Sequence, residues 1–152
     1  MSPTKELEAA ERVARDVDEL DALEATVHRN TEARARVDRL RRHRLAEAPS
    51  VRLSVAAKLL DLSVPTVRAW IARGLLEEAH DAAPRRVTLS SVLRLRPIVR
   101  ELRELGQDRN LLEAITMRVE DRRMLADRRL RKSLAEMRHG DVVDITPRTA
   151  AA

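Results

Sequence analysis

The sequence predicts a mainly all-α fold, and three features of its 152 residues lead to that expectation. Phe and Tyr are absent and Trp occurs once, so the core must consist of Leu, Val, Ile and Ala, which suits helices packed through narrow apolar stripes. Only three glycines are present, which leaves little room for tight hairpins. Apolar residues recur at three- and four-residue spacing over most of the chain, which is the period of a helix.

An N-terminal helical extension is predicted over residues 1–48. Ser2-Pro3-Thr4 is a helix-start signal, and neither proline nor glycine follows until residue 49. Asn30 and Arg34 interrupt the apolar stripe, so the segment is one long helix or a helical pair with a break near Asn30-Thr31. We expect it to pack on its own domain, because the stripe is too irregular for a coiled coil.

Charge is distributed unevenly over a chain whose net charge is +5. Residues 5–24 carry a net charge of −5, whereas residues 29–44 carry +5 and residues 51–110 carry +4. Positive charge concentrated in this way is what phosphate binding requires. For residues 29–44 the alternative is that mixed charges only solvate a helix.

Residues 49–107 contain two short amphipathic helices joined by a tight polar turn. Ser54 is expected to cap the first helix, and Asp61-Leu62-Ser63 to interrupt it. Ser63 is expected to cap the second helix, with Pro65 in the first turn, where an amide hydrogen would lack a partner anyway. Gly74 ends the second helix.

The second of these helices has one apolar and one polar face. Val67, Trp70 and Ile71 form the apolar stripe, so Trp70 is expected to be a core residue that fixes the helix. The opposite face carries Thr66, Arg68, Ala69 and Arg73. Two helices with a three-residue turn and outward arginines on the second are typical of a helix-turn-helix that enters the major groove of DNA.

This unit resembles the winged helix-turn-helix of MerR-type regulators and of excisionase-like DNA-binding domains over residues 52–107. Thr66-Val67-Arg68, followed by Trp70 and Gly74-Leu75-Leu76, is similar to the family's second helix. Arg85-Arg86-Val87-Thr88-Leu89 stands where the family has a basic β-wing. Leu102-Arg103-Glu104-Leu105-Gly106 resembles the end of the helix that follows the wing. The resemblance implies a small β-wing and double-stranded DNA as the partner.

Local signals also place the elements around the wing. Val87-Thr88-Leu89 alternates like a short strand. Ser90 or Ser91 is expected to cap the next helix, which Gly106 stops. Pro97 falls in an early turn of that helix or bends it.

A long C-terminal helix is predicted over residues 108–139, and a short strand and tail over residues 140–152. The helix carries an apolar stripe about six turns long. Its members are Leu112, Ile115, Val119, Ala126, Leu130, Leu134 and Met137. The resemblance implies that this helix forms a homodimer, while packing on its own chain and binding to another protein remain open.

Eight positions are candidates for DNA contact. They are Thr66, Arg68, Ala69 and Arg73 in the groove, Arg85 and Arg86 on the wing, and Arg52 and Lys58 on the phosphate backbone. For the two wing arginines the alternative is an ordinary solvated turn.

The composition gives no support to other chemistries. Cysteine is absent and the four histidines lack metal-ligand spacing, so no metal site is expected. No nucleophile motif, Gly-rich phosphate loop or apolar carboxylate pair is present, so neither catalysis nor a cofactor is expected. No apolar run approaches the roughly 20 residues that cross a bilayer, and the first residues lack a signal-peptide pattern, which predicts a cytoplasmic protein.

The leading interpretation is a sequence-specific double-stranded DNA-binding transcriptional regulator that acts as a homodimer. A dimer is expected because one such domain contacts few base pairs. One alternative is an antitoxin, which joins DNA binding to the silencing of a partner protein. The other alternative is a recombination accessory or architectural DNA-binding factor, which the resemblance to excisionases implies.

Overall fold

The computed structural model describes residues 1–80 and 82–138, which form six helices and a two-stranded antiparallel sheet. In chain order the elements are α1 (Pro3–Thr26), α2 (Thr31–Ala46), β1 (Ser50–Arg52), α3 (Leu53–Leu60), α4 (Val64–Ala72), β2 (Arg86–Thr88), α5 (Leu89–Glu104) and α6 (Leu111–Arg138). The predicted, mainly helical fold is confirmed.

The N-terminal segment is a helical pair whose break lies at residues 27–30, close to the predicted position. Ser2 caps α1 by accepting a hydrogen bond from the Lys5 amide at 3.4 Å, and Asn30 caps α2 by accepting one from the Ala33 amide at 3.0 Å. Helix α1 contributes Ala10, Val13, Ala14 and Val17 to the core. The extension therefore packs on the residues that follow it, as its irregular stripe predicts.

The sheet consists of two three-residue strands, in which Val51 of β1 is paired with Val87 of β2. Both valines are buried. Sequence signals do not reveal β1, because three residues are too few for alternation to be recognised. The predicted strand over residues 87–89 is shifted by one residue, because Leu89 already belongs to α5.

Helices α3 and α4 are joined by the turn at residues 61–63. The prediction that Ser54 caps α3 is wrong, because β1 runs directly into a helix that begins at Leu53. Ser63 does cap α4, as predicted, by accepting a hydrogen bond from the Thr66 amide at 3.2 Å. Gly74 follows the end of α4 with φ of 72°, a conformation that favours glycine.

The N-cap of helix α5 lies two or three residues before the predicted caps. Thr88 caps it by accepting a hydrogen bond from the Ser91 amide, so the prediction of a cap at Ser90 or Ser91 is wrong. Pro97 lies inside the helix and not in an early turn. Gly106 follows the helix end with φ of 74°, as the stop signal predicts.

One hydrophobic core joins α1, the sheet, α3, α4, α5 and the start of α6. Trp70 is 1% exposed, which confirms its predicted place in this core. Helix α6 buries only Leu111 and Ile115, and every described residue from Glu120 onward is exposed. The strand predicted after residue 140 lies outside the described residues. No helix in the described part of the chain is both long and apolar enough to span a membrane.

Candidate nucleic-acid interface

The exposed face of α4 carries one long cation among small side chains. Arg68, Ala69 and Arg73 are exposed, and Thr66 is half-buried with its hydroxyl 2.7 Å from that of Ser63. Ala72 is exposed one helical turn beyond Arg68 and therefore on the same face, although the motif does not single it out. Alanines on this face let the helix backbone approach another surface closely.

An open groove of about 400 Å³ brings together three of the eight candidate residues. Arg52 from β1, Arg68 from α4 and Arg85 from the loop before β2 line it. Ser54 lines the same groove, although the sequence signals predict that this residue caps a helix. The positions of Lys58, Thr66, Ala69, Arg73 and Arg86 lie outside the lining of this groove.

Residues 77–79 lie alongside β2 in a hairpin arrangement, and residues 77–80 and 82–88 together are here called the 77–88 hairpin. The Ala79 amide donates to the Arg86 carbonyl, and the Thr88 amide donates to the Glu77 carbonyl, both at 2.9 Å. These bonds extend the β1–β2 pair on the far side of β2. The hairpin thus positions Arg85 at the groove.

Within the 77–88 hairpin, Arg85 forms a two-pronged ion pair with Glu78. Its Nε lies 2.6 Å from Oε1 and its Nη2 lies 3.0 Å from Oε2 of that carboxylate. This hydrogen bonding lowers the pKa of Glu78 and raises the pKa of Arg85 relative to their ordinary values. Because the pair is exposed, an external phosphate can compete with Glu78 for the guanidinium.

A buried carboxylate on α1 holds the two arginines of the sheet. Glu6 is 6% exposed and accepts the Arg52 amide at 2.9 Å, while its second oxygen lies 3.3 Å from Arg52 Nε. Arg86 also donates to Glu6, and in addition to the Ser50 carbonyl at 2.8 Å. These contacts give Arg52 and Arg86 a role inside the protein, and their predicted contacts with DNA remain predictions.

Three other basic residues, on α3, on α4 and directly after α4, are free for an external anion. Lys58, Arg68 and Arg73 form no ion pair within the described residues, and all three are exposed. Lys58 lies in the last turn of α3. Free cations on one small unit are what a phosphate contact requires.

Arg103 of α5 fixes the turn between α3 and α4. Its Nη1 donates to the Leu60 carbonyl at 3.1 Å, and its Nη2 donates to the Asp61 carbonyl. Asp61 has a left-handed backbone with φ of 53°, so this bracing supports an uncommon conformation. Arg103 lies in a segment that carries the family resemblance, but no sequence signal indicates this bracing role.

The basic stretch of residues 29–44 is largely neutralised by neighbouring carboxylates. Arg41, for example, lies 2.7 Å from Asp21 and 2.8 Å from Glu24 of α1. Ion pairs also engage Arg34, Arg36, Arg42 and Arg44. Burial lowers the pKa of Arg41, but its carboxylate neighbours outweigh that effect and raise it. The geometry favours the alternative in which these charges solvate and join helices, and phosphate binding here remains a prediction.

Among the described residues, no group of three or more His, Asp or Glu side chains is arranged to hold a metal ion.

In comparisons with known proteins, no family model, no curated protein and no solved structure matches this chain.

Proposed function

We propose that this protein is a sequence-specific double-stranded DNA-binding transcriptional regulator of the MerR/excisionase-like type. In this proposal α3 and α4 form a helix-turn-helix, and the 77–88 hairpin is its wing. The observation that carries the proposal is the groove in which Arg68, on the exposed face of α4, lies beside Arg52 and Arg85.

The dimensions and composition of α4 support docking in a major groove. Its nine residues make a helix about 14 Å long, and a B-DNA major groove is about 12 Å wide, enough to admit a helix. Ala69 and Ala72 let the helix approach the base edges, and an alanine methyl suits the methyl group of thymine. Arg68 is long enough to reach a guanine from the same face, where it would donate two hydrogen bonds.

Other cations in the unit are suited to phosphate contacts. Lys58 and Arg73 are exposed and form no ion pair within the described residues, so neither must give up a partner. Arg85 would exchange Glu78 for a phosphate. Arg86 is only 23% exposed at its side chain, and we assign it to holding the base of the wing.

We further propose that the protein is a homodimer formed through α6. A single recognition helix reads few base pairs, and useful specificity needs two half-sites. The outer part of α6 leaves large apolar side chains in water, with Met124, Leu130 and Met137 each about 60% exposed. A second copy of α6 would cover this stripe.

The same exposed stripe favours the antitoxin as a second candidate function, because a toxin-like protein could cover it instead. Sedimentation of the protein alone distinguishes the two. A dimer supports the regulator, and a monomer whose α6 amides exchange rapidly supports the antitoxin.

Affinity selection from random double-stranded DNA tests the proposed function. The proposal expects enrichment of one sequence arranged as two related half-sites. An Arg68→Ala protein carried through the same selection should enrich a site with relaxed preference at one base pair of each half-site. Absence of enrichment by a correctly folded wild-type protein would contradict the proposal.

A further inference from the structure

A groove of about 320 Å³ lies between α5, α6 and the end of α4. Its floor is apolar, with the side chains of Leu95 and Ile98 almost fully buried and those of Leu75 and Val119 half-buried. Ala126 and Gly74 complete the apolar part. A volume near 300 Å³ with an apolar floor is in the range of sites that bind small molecules.

Three arginines line the same groove, and no acidic residue does. Arg94 comes from α5, and Arg122 and Arg123 come from α6. All three are exposed, and none forms an ion pair within the described residues. Their positive charge is therefore uncompensated beside an apolar surface.

In each of the other described grooves a carboxylate pairs with at least one lining arginine, whereas in this groove none of the three is paired within the described residues. Glu6 holds Arg52 and Arg86, Asp21 holds Arg41, and Asp61 holds Arg103. The contrast indicates that the α5–α6 groove is open to an anion from outside the chain.

We propose that this groove binds a small amphipathic anion, with its apolar tail on Leu95, Ile98 and Val119 and its carboxylate among the three guanidiniums. Burial of a hydrocarbon tail supplies the non-directional part of the affinity. Charge-assisted hydrogen bonds from arginine fix the headgroup, because the planar guanidinium matches a carboxylate. A cationic ligand is disfavoured, because the three guanidiniums in the lining repel it.

The groove lies next to the element that would read DNA. Leu75 lines it, and the Leu75 amide donates to the Trp70 carbonyl of α4 at 3.0 Å. A bound ligand therefore touches the segment that ends α4 and can alter its freedom of movement. This regulatory consequence rests on the proposed function, whereas ligand binding itself does not.

Isothermal titration calorimetry of the full chain with decanoate, in the absence of DNA, tests the site. Decylamine, which has the same tail and the opposite charge, is the matched ligand control. We expect decanoate to bind and decylamine not to bind. The double variant Arg122→Gln/Arg123→Gln should lose about tenfold or more in decanoate affinity, because two charged donors are removed.

The double variant Arg128→Gln/Arg131→Gln is the matched protein control, since both arginines are exposed on α6 and lie outside the groove. It should bind decanoate within about twofold of the wild type. Circular dichroism melting confirms that each variant is folded. The proposal is overturned if decylamine binds equally well or if the control pair loses as much affinity. Failure of the folded wild type to bind decanoate also overturns it, as would happen if a second copy of α6 occupied the groove.

Discussion

Trp70 is the residue whose removal should damage the fold most. Its side chain is 1% exposed in the common core, and its indole Nε1 has no hydrogen-bond partner in the described structure. Trp70→Ala should therefore lower the free energy of unfolding by about 3–5 kcal/mol, through lost apolar burial and the cavity that remains. That is a large part of the 5–15 kcal/mol or so that stabilises a typical domain.

Trp70→Phe is the matched variant that separates packing from polarity. Phenylalanine keeps much of the apolar volume and removes an N–H group whose burial without a partner costs about 1–3 kcal/mol. The gain from removing this group offsets part of the packing loss. We expect a net loss of no more than about 1.5 kcal/mol, which is well below the loss for alanine.

Urea denaturation followed by circular dichroism measures both variants, since neither retains the tryptophan fluorescence. In the wild type, the single indole should emit at a wavelength typical of an apolar environment. An alanine variant that loses less than about 1 kcal/mol would refute the cavity argument. Equal losses for alanine and phenylalanine would mean that the ring retained by phenylalanine contributes no stability, which would contradict the packing argument.

Three other regions give predictions. Glu78→Gln frees Arg85 from its ion pair and should tighten DNA binding by up to about 1 kcal/mol, the usual worth of an exposed pair. The salt dependence, measured by fluorescence anisotropy over a salt series, should change little, because Arg85 contacts a phosphate in both proteins. The lowered pKa of Glu78 means that the ion pair is fully formed above the usual glutamate pKa and is lost as the pH falls through the depressed value. An NMR titration of the Glu78 carboxyl should give a midpoint below that of a free glutamate. Glu6→Gln should destabilise the protein by about 1–3 kcal/mol in urea denaturation, because Arg52 and Arg86 lose a charged acceptor. A loss near zero would contradict the role of Glu6 in holding these two arginines. Leu130→Glu with Leu134→Glu should convert a dimer to monomers in sedimentation, because it places carboxylates in the proposed interface. The melting temperature of the monomer should be unchanged, since both side chains are already exposed. A dimer that persists would exclude this stripe as the interface.

Features that depend on neighbouring residues in the chain could be predicted from the sequence. The Ser63 cap, the Gly74 stop and the buried stripe with Trp70 all arise within one or two helical turns, and the structure confirms them. The break near Asn30 has the same local origin. Short-range hydrogen bonds and helical periodicity need no knowledge of the rest of the fold.

Features that depend on distant residues could not be predicted. Strand β1 exists because β2 pairs with it, and Ser54 loses its expected cap position because that strand continues directly into α3. Glu6 looks like an ordinary acidic residue in a first helical turn. It is buried because Arg52 and Arg86, which lie 46 and 80 residues away, converge on it.

The charge pattern also could not be interpreted correctly from the sequence alone. The sequence places negative charge in residues 5–24 and positive charge in residues 29–44, and the second stretch resembles a phosphate-binding segment when considered alone. Folding brings the two stretches side by side, so that Arg41 and Arg44 pair with carboxylates of α1. Only tertiary structure shows which cations stay available for an external partner.

The most direct test of the central claim compares the effect of Arg68→Ala on the selected duplex and on a scrambled duplex of the same composition, by fluorescence anisotropy at fixed salt. Arg39→Ala is the matched control, because Arg39 is also an exposed helical arginine without an ion pair in the described residues. We expect Arg68→Ala to lose about 1–3 kcal/mol on the selected duplex, with a much smaller loss on the scrambled one, and Arg39→Ala to change neither appreciably. Equal losses of affinity on both duplexes would mean that Arg68 holds phosphate without reading a base. Unchanged affinity for the selected duplex would contradict the assignment of α4 as the recognition helix.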